Sequence, residues 1–401
     1  MNPKHRIIVL GAGYAGTWAA GALARRLHPG DVEVTVVSAE PDFVERLRLH
    51  QVAAGQDLPR RGLADLFSHH GIRFVQDRVA AVDPDARTVD LESGDALAYD
   101  TLLYALGSTA AAQVPGAEHA HHVASRPAAL RLRARLDELD GDGTVLVVGG
   151  NLTAIEAATE IAESRPGLRV VLATSGELGG WIGPKARGHL LRAFDRLGIA
   201  VHEHTDITEA TPTGARAADG RAFAADALVW AAGFAVHPIA AASGLAVHGT
   251  GQILVDRQMR SLSHPGVYAA GDAAFTLAED GEPLPMSCAS AGFTAMQAVS
   301  GIVGDLTGAR IGRTALAYYG NHISLGRRDA VFQALAIGSR RTTWSLRGRT
   351  AARLKNAILK GAAFGVRHPT YGLPARRHRL TAARRREAVP ARGLSGEYGL
   401  G

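Results

Sequence analysis

Ile7-Ile8-Val9-Leu10-Gly11-Ala12-Gly13-Tyr14-Ala15-Gly16 is the stretch on which the reading of the whole chain turns. Four consecutive apolar residues make a strand buried on both faces, the mark of a central strand in a parallel sheet. The run stops at a glycine and passes into an alanine-rich segment of helical character. In that strand, turn and helix setting, Gly11 permits the tight turn and Gly13 lets a pyrophosphate approach the backbone. Gly16 allows the helix to pack close on the strand, and the helix N-terminus at Tyr14 and Ala15 supplies oriented N–H donors for an anion. The plainer alternative is an ordinary glycine turn in a β-α unit.

Working outward, Val32-Glu33-Val34-Thr35-Val36-Val37 is the strand that returns after the first helix, and a second unit begins at Val145-Leu146-Val147-Val148 and returns at Arg169-Val170-Val171-Leu172. Further strands are predicted at Thr101–Tyr104, Ala227–Trp230 and Val267–Ala269. Strands alternating with helices indicate an α/β fold with mostly parallel sheets, built on two β-α-β units. After Gly308 the pattern changes to short, partly polar strands (Ile323-Ser324-Leu325 and Val331-Phe332-Gln333), then a basic helical stretch from Thr350 to Val366. The expected organisation is a discontinuous first domain (1–112 and 248–308), a second domain (113–247), a small C-terminal domain (309–375) and a basic, poorly ordered tail (376–401).

Composition narrows the function classes. The chain has 401 residues, 46% hydrophobic and 20% charged, and no apolar run reaches the roughly 18 residues of a membrane-spanning helix. Residues Met1 to Arg6 lead almost directly into the first strand, which leaves no room for a secretory signal; the expected location is the cytoplasm. A single cysteine, Cys288, excludes an intrachain disulfide, a Cys-x-x-Cys redox pair and a cysteine metal cluster, and no metal site is expected. From Arg340 onward there are 15 Lys/Arg against Glu387 and Glu397, so +13 of the overall +6 lies there and −7 elsewhere. Few aromatics interleave with these arginines, which argues against nucleic acid as a partner.

A carboxylate is expected near the end of the second strand to bind an adenosine ribose. Ser38 stands there instead; Glu40, two residues on, either reaches the ribose from its loop or is simply solvated. Far along the chain, His264-Pro265-Gly266-Val267-Tyr268-Ala269-Ala270-Gly271-Asp272 is an apolar strand delivering Gly-Asp into a loop. There Asp272 would accept hydrogen bonds from the ribityl hydroxyls of a flavin, and Gly271 would clear space for it. With this motif, the Gly11 fingerprint and the crossover segments Tyr99–Gly107, including Ala105 and Gly107, and Leu228–Gly233, the sequence resembles the FAD-dependent pyridine nucleotide oxidoreductases over roughly residues 5 to 370. More narrowly, it is similar to their type II NADH dehydrogenase-like branch.

The resemblance implies two Rossmann-like dinucleotide-binding domains in a glutathione reductase-like two-domain architecture, FAD, and NAD(P)H on a second glycine fingerprint. That fingerprint is altered: Gly149-Gly150-Asn151-Leu152-Thr153-Ala154 puts Asn151 where the phosphates come close and Ala154 at the helix-packing position. Glu156 matches a family glutamate that orients the nicotinamide or relays a proton; the alternative is a solvated helix-surface residue. Disulfide reductases of the larger family carry a cysteine pair where this chain has Pro41–Gln51, so disulfide reduction is excluded. That segment would wrap the flavin, with Arg46 binding it and His50 or Gln51 acting beside it. Ser287, Cys288 and Ala289 open a helix whose positive end would face the flavin, and the Ala-Gln pair of quinone-reducing relatives is absent there.

Arg349, Arg353, Lys360 and Arg367 form one helical stripe opposite Leu354 and Ile358, suited either to peripheral contact with the inner face of a membrane or to solvent. Homodimers through the C-terminal domain are common among relatives. Three functions stay open. The first passes hydride from NAD(P)H to flavin and then to a small organic or quinone-like acceptor. The second is a flavin oxidase acting directly on an organic substrate, and the third a non-catalytic flavin-holding interaction protein.

Overall fold

The computed structural model describes residues 4–111, 114–139, 142–335, 341–372 and 376–381. Its first unit comprises β1 (His5–Leu10), α1 (Tyr14–Arg26), β2 (Val32–Ser38), a short helix α2 (Leu49–Ala53), β3 (Arg73–Gln76), β4 (Thr101–Tyr104) and the crossover strand β5 (Ser108–Ala110). A second unit follows with β6 (Thr144–Val148), α3 (Leu152–Ser164), β7 (Arg169–Ala173), β8 (Ala200–His202), β9 (Ala227–Trp230) and the return strand β10 (Phe234–Val236). The chain then rejoins the first unit as β11 (Val267–Ala269) and α4 (Cys288–Thr307), before β12 (Gly320–Ser324), β13 (Ala330–Leu335), β14 (Arg341–Arg347) and α5 (Gly348–Arg367).

Two parallel sheets result, one in the order β11-β4-β1-β2-β3 and one in the order β8-β7-β6-β9. β1 and β6 have strands on both sides, and their apolar runs have no exposed face; Ile7, Val9 and Leu10 are fully buried, as are Val145 and Val147. Each such side chain contributes roughly 1.5–3 kcal/mol by leaving water, which is why these runs sit at the sheet centres. The α/β class with parallel sheets is as expected. Passage between the sheets is through β5 and β10, which pair antiparallel (Ser108 with Val236, Ala110 with Phe234).

Strands β12, β13 and β14 form an antiparallel sheet covered by α5 and set against α3. Helix α5 exposes Arg349, Arg353, Lys360 and Arg367, the basic stripe of the sequence. Its buried side is Ala351, Ala352, Lys355, Leu359 and Val366, a correction to the expected apolar side, since Leu354 and Ile358 are only half-buried. Positions 351, 355 and 359 are spaced by four and so share one line.

Residues 376–381 also depart from the expected loose tail. The backbone of His378 exchanges hydrogen bonds with Arg26 and His28, Arg379 pairs with Asp31 at 3.1 Å, and Leu380 N donates to the same carboxylate. Upstream of them, Pro369 lies against Gly21 of α1, so closely that a Cβ at Gly21 would fall 2.1 Å from the Pro369 carbonyl. The remainder of the tail, 382–401, lies outside the described residues.

Candidate active site

A cleft of ≈ 340 Å³ opens at the C-terminal ends of β1, β2, β4 and β11, the position at which open α/β sheets bind ligands. At its floor is the first glycine turn. Gly11 has φ +96°, and a Cβ there would lie 2.4 Å from the Ala105 carbonyl oxygen; one on Gly16 would lie 1.9 Å from the Gly11 carbonyl. Both glycines are thus demanded by the protein's own backbone. Gly13 is different: a Cβ there would meet nothing within 4 Å, so its face is open to the cleft. Helix α1 starts at this open glycine with no side-chain cap and no acidic residue in its first turn, leaving N–H donors for an anion. Tyr14 and Ala15 line the cleft beside them, with the Tyr14 ring edge-on to Phe43 at 5.0 Å.

At one end of the cleft stand Ser38 and Glu40, with the Ser38 hydroxyl accepting from the Glu40 N–H at 3.3 Å. Asp77, Arg78 and Val79, just past β3, complete this end; they follow a half-exposed strand and carry no motif, so sequence reasoning missed them. His237, just past β10, and Ser125 and Arg126, at the start of the helix Arg126–Glu138, carry no motif either and were also missed. Ala105, Gly107, Gly271, Asp272, Cys288 and Arg46 line the remaining wall. Burial, the Asp272 charge and, more weakly, Glu156 push the Cys288 thiol up to about 12, so it is protonated at neutral pH and unsuited to thiolate chemistry.

Several expected site residues are not on the cleft wall. Gly16 packs α1 on β1. Ser287 caps α4, its hydroxyl accepting from Ser290 N at 3.1 Å, and Ala289 turns away from the cleft, where Ala291 lines it instead. Gln51 is buried and accepts from Arg48 Nε at 2.7 Å. His50 and Glu156 are buried and do not line the cleft. Glu156 Oε1 accepts from Ser324 N at 2.9 Å and from the ammonium of Lys355, and Oε2 lies 3.8 Å from His50 Nδ1. Lys355 also donates to the His322 carbonyl at 3.2 Å.

The reading of Glu156 as a solvated surface residue is therefore wrong: α3 is covered on this side by β12 and α5. Burial alone would raise the Glu156 carboxyl, but Lys355, His50 and the hydrogen bonds outweigh it and hold it below the usual carboxylate range. Burial pushes His50 down against the pull of Glu156, which leaves it neutral at pH 7 with Nε2 unpartnered among the described residues. Lys355 was missed because it counted as one more cation of a basic helix; its spacing from Ala351 and Leu359 was the available signal.

The second glycine turn is present with its own geometry. Gly149 has φ +133°, and a Cβ at Gly150 would lie 2.4 Å from Thr174 Oγ1. The Gly150 carbonyl accepts from the Trp181 indole at 3.2 Å. Asn151 precedes α3 with its side chain exposed and making no cap hydrogen bond.

The model of the pyridine nucleotide-disulphide oxidoreductase family matches residues 5–295, which span both sheets and both glycine turns. The chain belongs to that family. Its one cysteine, Cys288, cannot form an intrachain redox disulfide. An NADH dehydrogenase-like protein of Mycobacterium tuberculosis is 30% identical over 350 residues, covering 82% of this chain and 87% of that one. The type II NADH:quinone oxidoreductase NdhA of the same organism is 26% identical, over 68% of this chain and 67% of its own. In fold, the chain matches the sulfide:quinone oxidoreductase of Aquifex aeolicus with TM-score 0.76 at 21% identity, covering 91% and 92% of the two chains. NDH2 of Plasmodium falciparum matches with TM-score 0.74 at 14% identity, over 92% and 98%. The protein is an FAD-dependent NAD(P)H oxidoreductase of the NADH dehydrogenase-like branch. The cleft fits the cofactor where this can be tested: the open face of Gly13 and the uncapped helix start suit a pyrophosphate, and Asp272 Oδ1 has no partner among the described residues.

Proposed function

We propose that the protein oxidises NAD(P)H and reduces a small organic or quinone-like acceptor. The observation that carries this is the buried Glu156–Lys355–His50 cluster, whose Glu156 carboxylate acts electrostatically on Cys288 in the cleft lining. The chemistry that FAD would supply when bound is hydride transfer from NAD(P)H and delivery of two electrons to the acceptor. The chain supplies binding and proton handling. Gly13 and the start of α1 hold the pyrophosphate; Asp272 accepts from the sugar-alcohol chain; Ser38 and Glu40 face the adenosine ribose. Gly149, Gly150 and Asn151 open the nicotinamide-dinucleotide side, with Asn151 crowding the phosphates.

His50, neutral at rest, takes up a proton at Nε2 and passes it on toward the acceptor, which gains protons as it gains two electrons. Glu156 and Lys355 hold its ring and set the local charge. The exposed Arg349, Arg353, Lys360 and Arg367, with Phe364 46% exposed among them, support peripheral contact of α5 with an anionic lipid surface at the cytoplasmic side. No helix among the described residues is long and apolar enough to cross a membrane.

Anaerobic mixing of the purified yellow protein with NADH and NADPH tests the reading. Bleaching by one of them, followed by return of the colour on adding a soluble quinone, is the expected result. A flavin that stays yellow with both nucleotides would overturn it.

A further inference from the structure

Two side chains that line the cleft, Arg46 and Asp272, are bridged by Ser108, a buried residue from a third part of the chain. Arg46 lies between β2 and α2, Ser108 opens β5, and Asp272 follows β11. Arg46 Nη1 donates to the Ser108 carbonyl at 2.5 Å and Nη2 to Ser108 Oγ at 3.0 Å, and Ser108 Oγ is 2.6 Å from Asp272 Oδ2. A guanidinium can only donate. The Ser108 hydroxyl therefore accepts from Arg46, and its single hydrogen goes to Asp272. Oδ2 is thereby occupied, and Oδ1 is left as the carboxylate's acceptor toward the cleft. The same guanidinium stands over Phe234, 5.4 Å from the ring centroid, and Phe234 begins β10, the strand paired with β5 in the passage between the sheets.

We propose that Arg46, Ser108 and Asp272 form a polarised relay. It presents Asp272 to the sugar-alcohol chain of FAD and ties the β5/β10 ribbon to the occupied cleft. Arg46 and Ser108 are positioning residues in this arrangement, acting through Asp272. Filling the cleft then stiffens the crossover between the two sheets, because the carboxylate that receives the cofactor is held by the group that clamps the ribbon. The inference rests on the assignment of the cleft to FAD.

A double-mutant cycle tests it. Wild type, Ser108→Ala, Arg46→Met, and the double variant are stripped of flavin and titrated with FAD by fluorescence. Each single substitution is expected to weaken FAD binding about tenfold, and the double variant no more than about twofold beyond the worse single, since both remove the same relay. Arg46→Lys, whose single ammonium lacks the planar fork that spans both Ser108 acceptors and stacks on Phe234, should behave as Arg46→Met. Hydrogen exchange at residues 108–110 and 234–236 should slow on adding FAD to wild type but not to Arg46→Met.

Singles that bind FAD as wild type does, or losses that multiply in the double variant, overturn the relay while leaving the cofactor assignment standing. A folded wild type that takes up no FAD overturns both. If Arg46→Met fails to fold, the Ser108→Ala and Arg46→Lys pair completes the same cycle.

Discussion

Replacing Lys355 with Met should be among the most damaging single changes in the C-terminal part of the molecule. Lys355 is 5% exposed and Glu156 8%, so the substitution strands a carboxylate with one N–H donor, Ser324 at 2.9 Å, and the His50 ring at 3.8 Å. Removing one partner of such a buried pair costs about 3–5 kcal/mol, because the remaining charge stays desolvated. Replacing both is far milder: Glu156→Gln with Lys355→Met keeps an oxygen for the Ser324 N–H and removes both charges, and should lie within about 1–2 kcal/mol of wild type.

Proton uptake by His50 adds a second signature. Lys355 is one of the groups that keep His50 down, so in the single variant His50 takes up a proton more readily and partly replaces the lost cation. The deficit should be full at pH 8 and smaller near pH 6. Urea unfolding followed by far-UV circular dichroism at the two pH values measures all of this. A loss below about 1 kcal/mol for Lys355→Met, or a double variant no more stable than the single, would refute the argument that the pair is buried and mutually dependent.

Burial lowers six histidines, His50, His70, His121, His122, His237 and His322. The unfolded chain therefore binds more protons just below the ordinary value of 6.5, and stability should fall as pH drops through that value toward the folded ones. Thermal midpoints between pH 8 and 5.5 measure this, and His50→Asn should flatten the slope. Gly16→Ala and Gly13→Ala should separate packing from binding. The first, with its Cβ 1.9 Å from a backbone oxygen, should cost about 3 kcal/mol. The second, facing open space, should leave the melting temperature of the flavin-free protein unchanged and weaken FAD binding. Asn151→Gly should lower KM for NAD(P)H about three- to tenfold with kcat unchanged, and an unchanged KM in steady-state assays would show that the exposed Asn151 side chain does not crowd the phosphates.

The fold was legible wherever strands are buried on both faces. Thr101–Tyr104, Ala227–Trp230 and Val267–Ala269 coincide with β4, β9 and β11 residue for residue, because an apolar run between two glycine or polar boundaries leaves little room for another assignment. The small antiparallel sheets, Val79–Asp83 with Thr88–Leu91 and Ala96–Ala98, and Ile207–Thr211 with Gly214–Ala217 and Ala222–Ala224, were not legible. Their strands are short, alanine-rich and half exposed, so neither propensity nor periodicity marks them.

At the site, the glycines and Asp272 could be read from local spacing. The partners of Glu156 could not, since Ser324 and Lys355 are 168 and 199 positions away. Arg78 and His237 reach the cleft from loops and Arg126 from the start of the helix Arg126–Glu138, and their approach depends on the packing of whole units.

The edge strand β11 brings its own consequence for biogenesis. It joins the first sheet only after the whole second sheet has been made, and it carries the Gly271-Asp272 turn that forms one cleft wall. A nascent chain that has emerged only as far as β10 holds both glycine turns yet lacks this wall. The complete cleft is therefore available to flavin only once residues through Ala291 have been made.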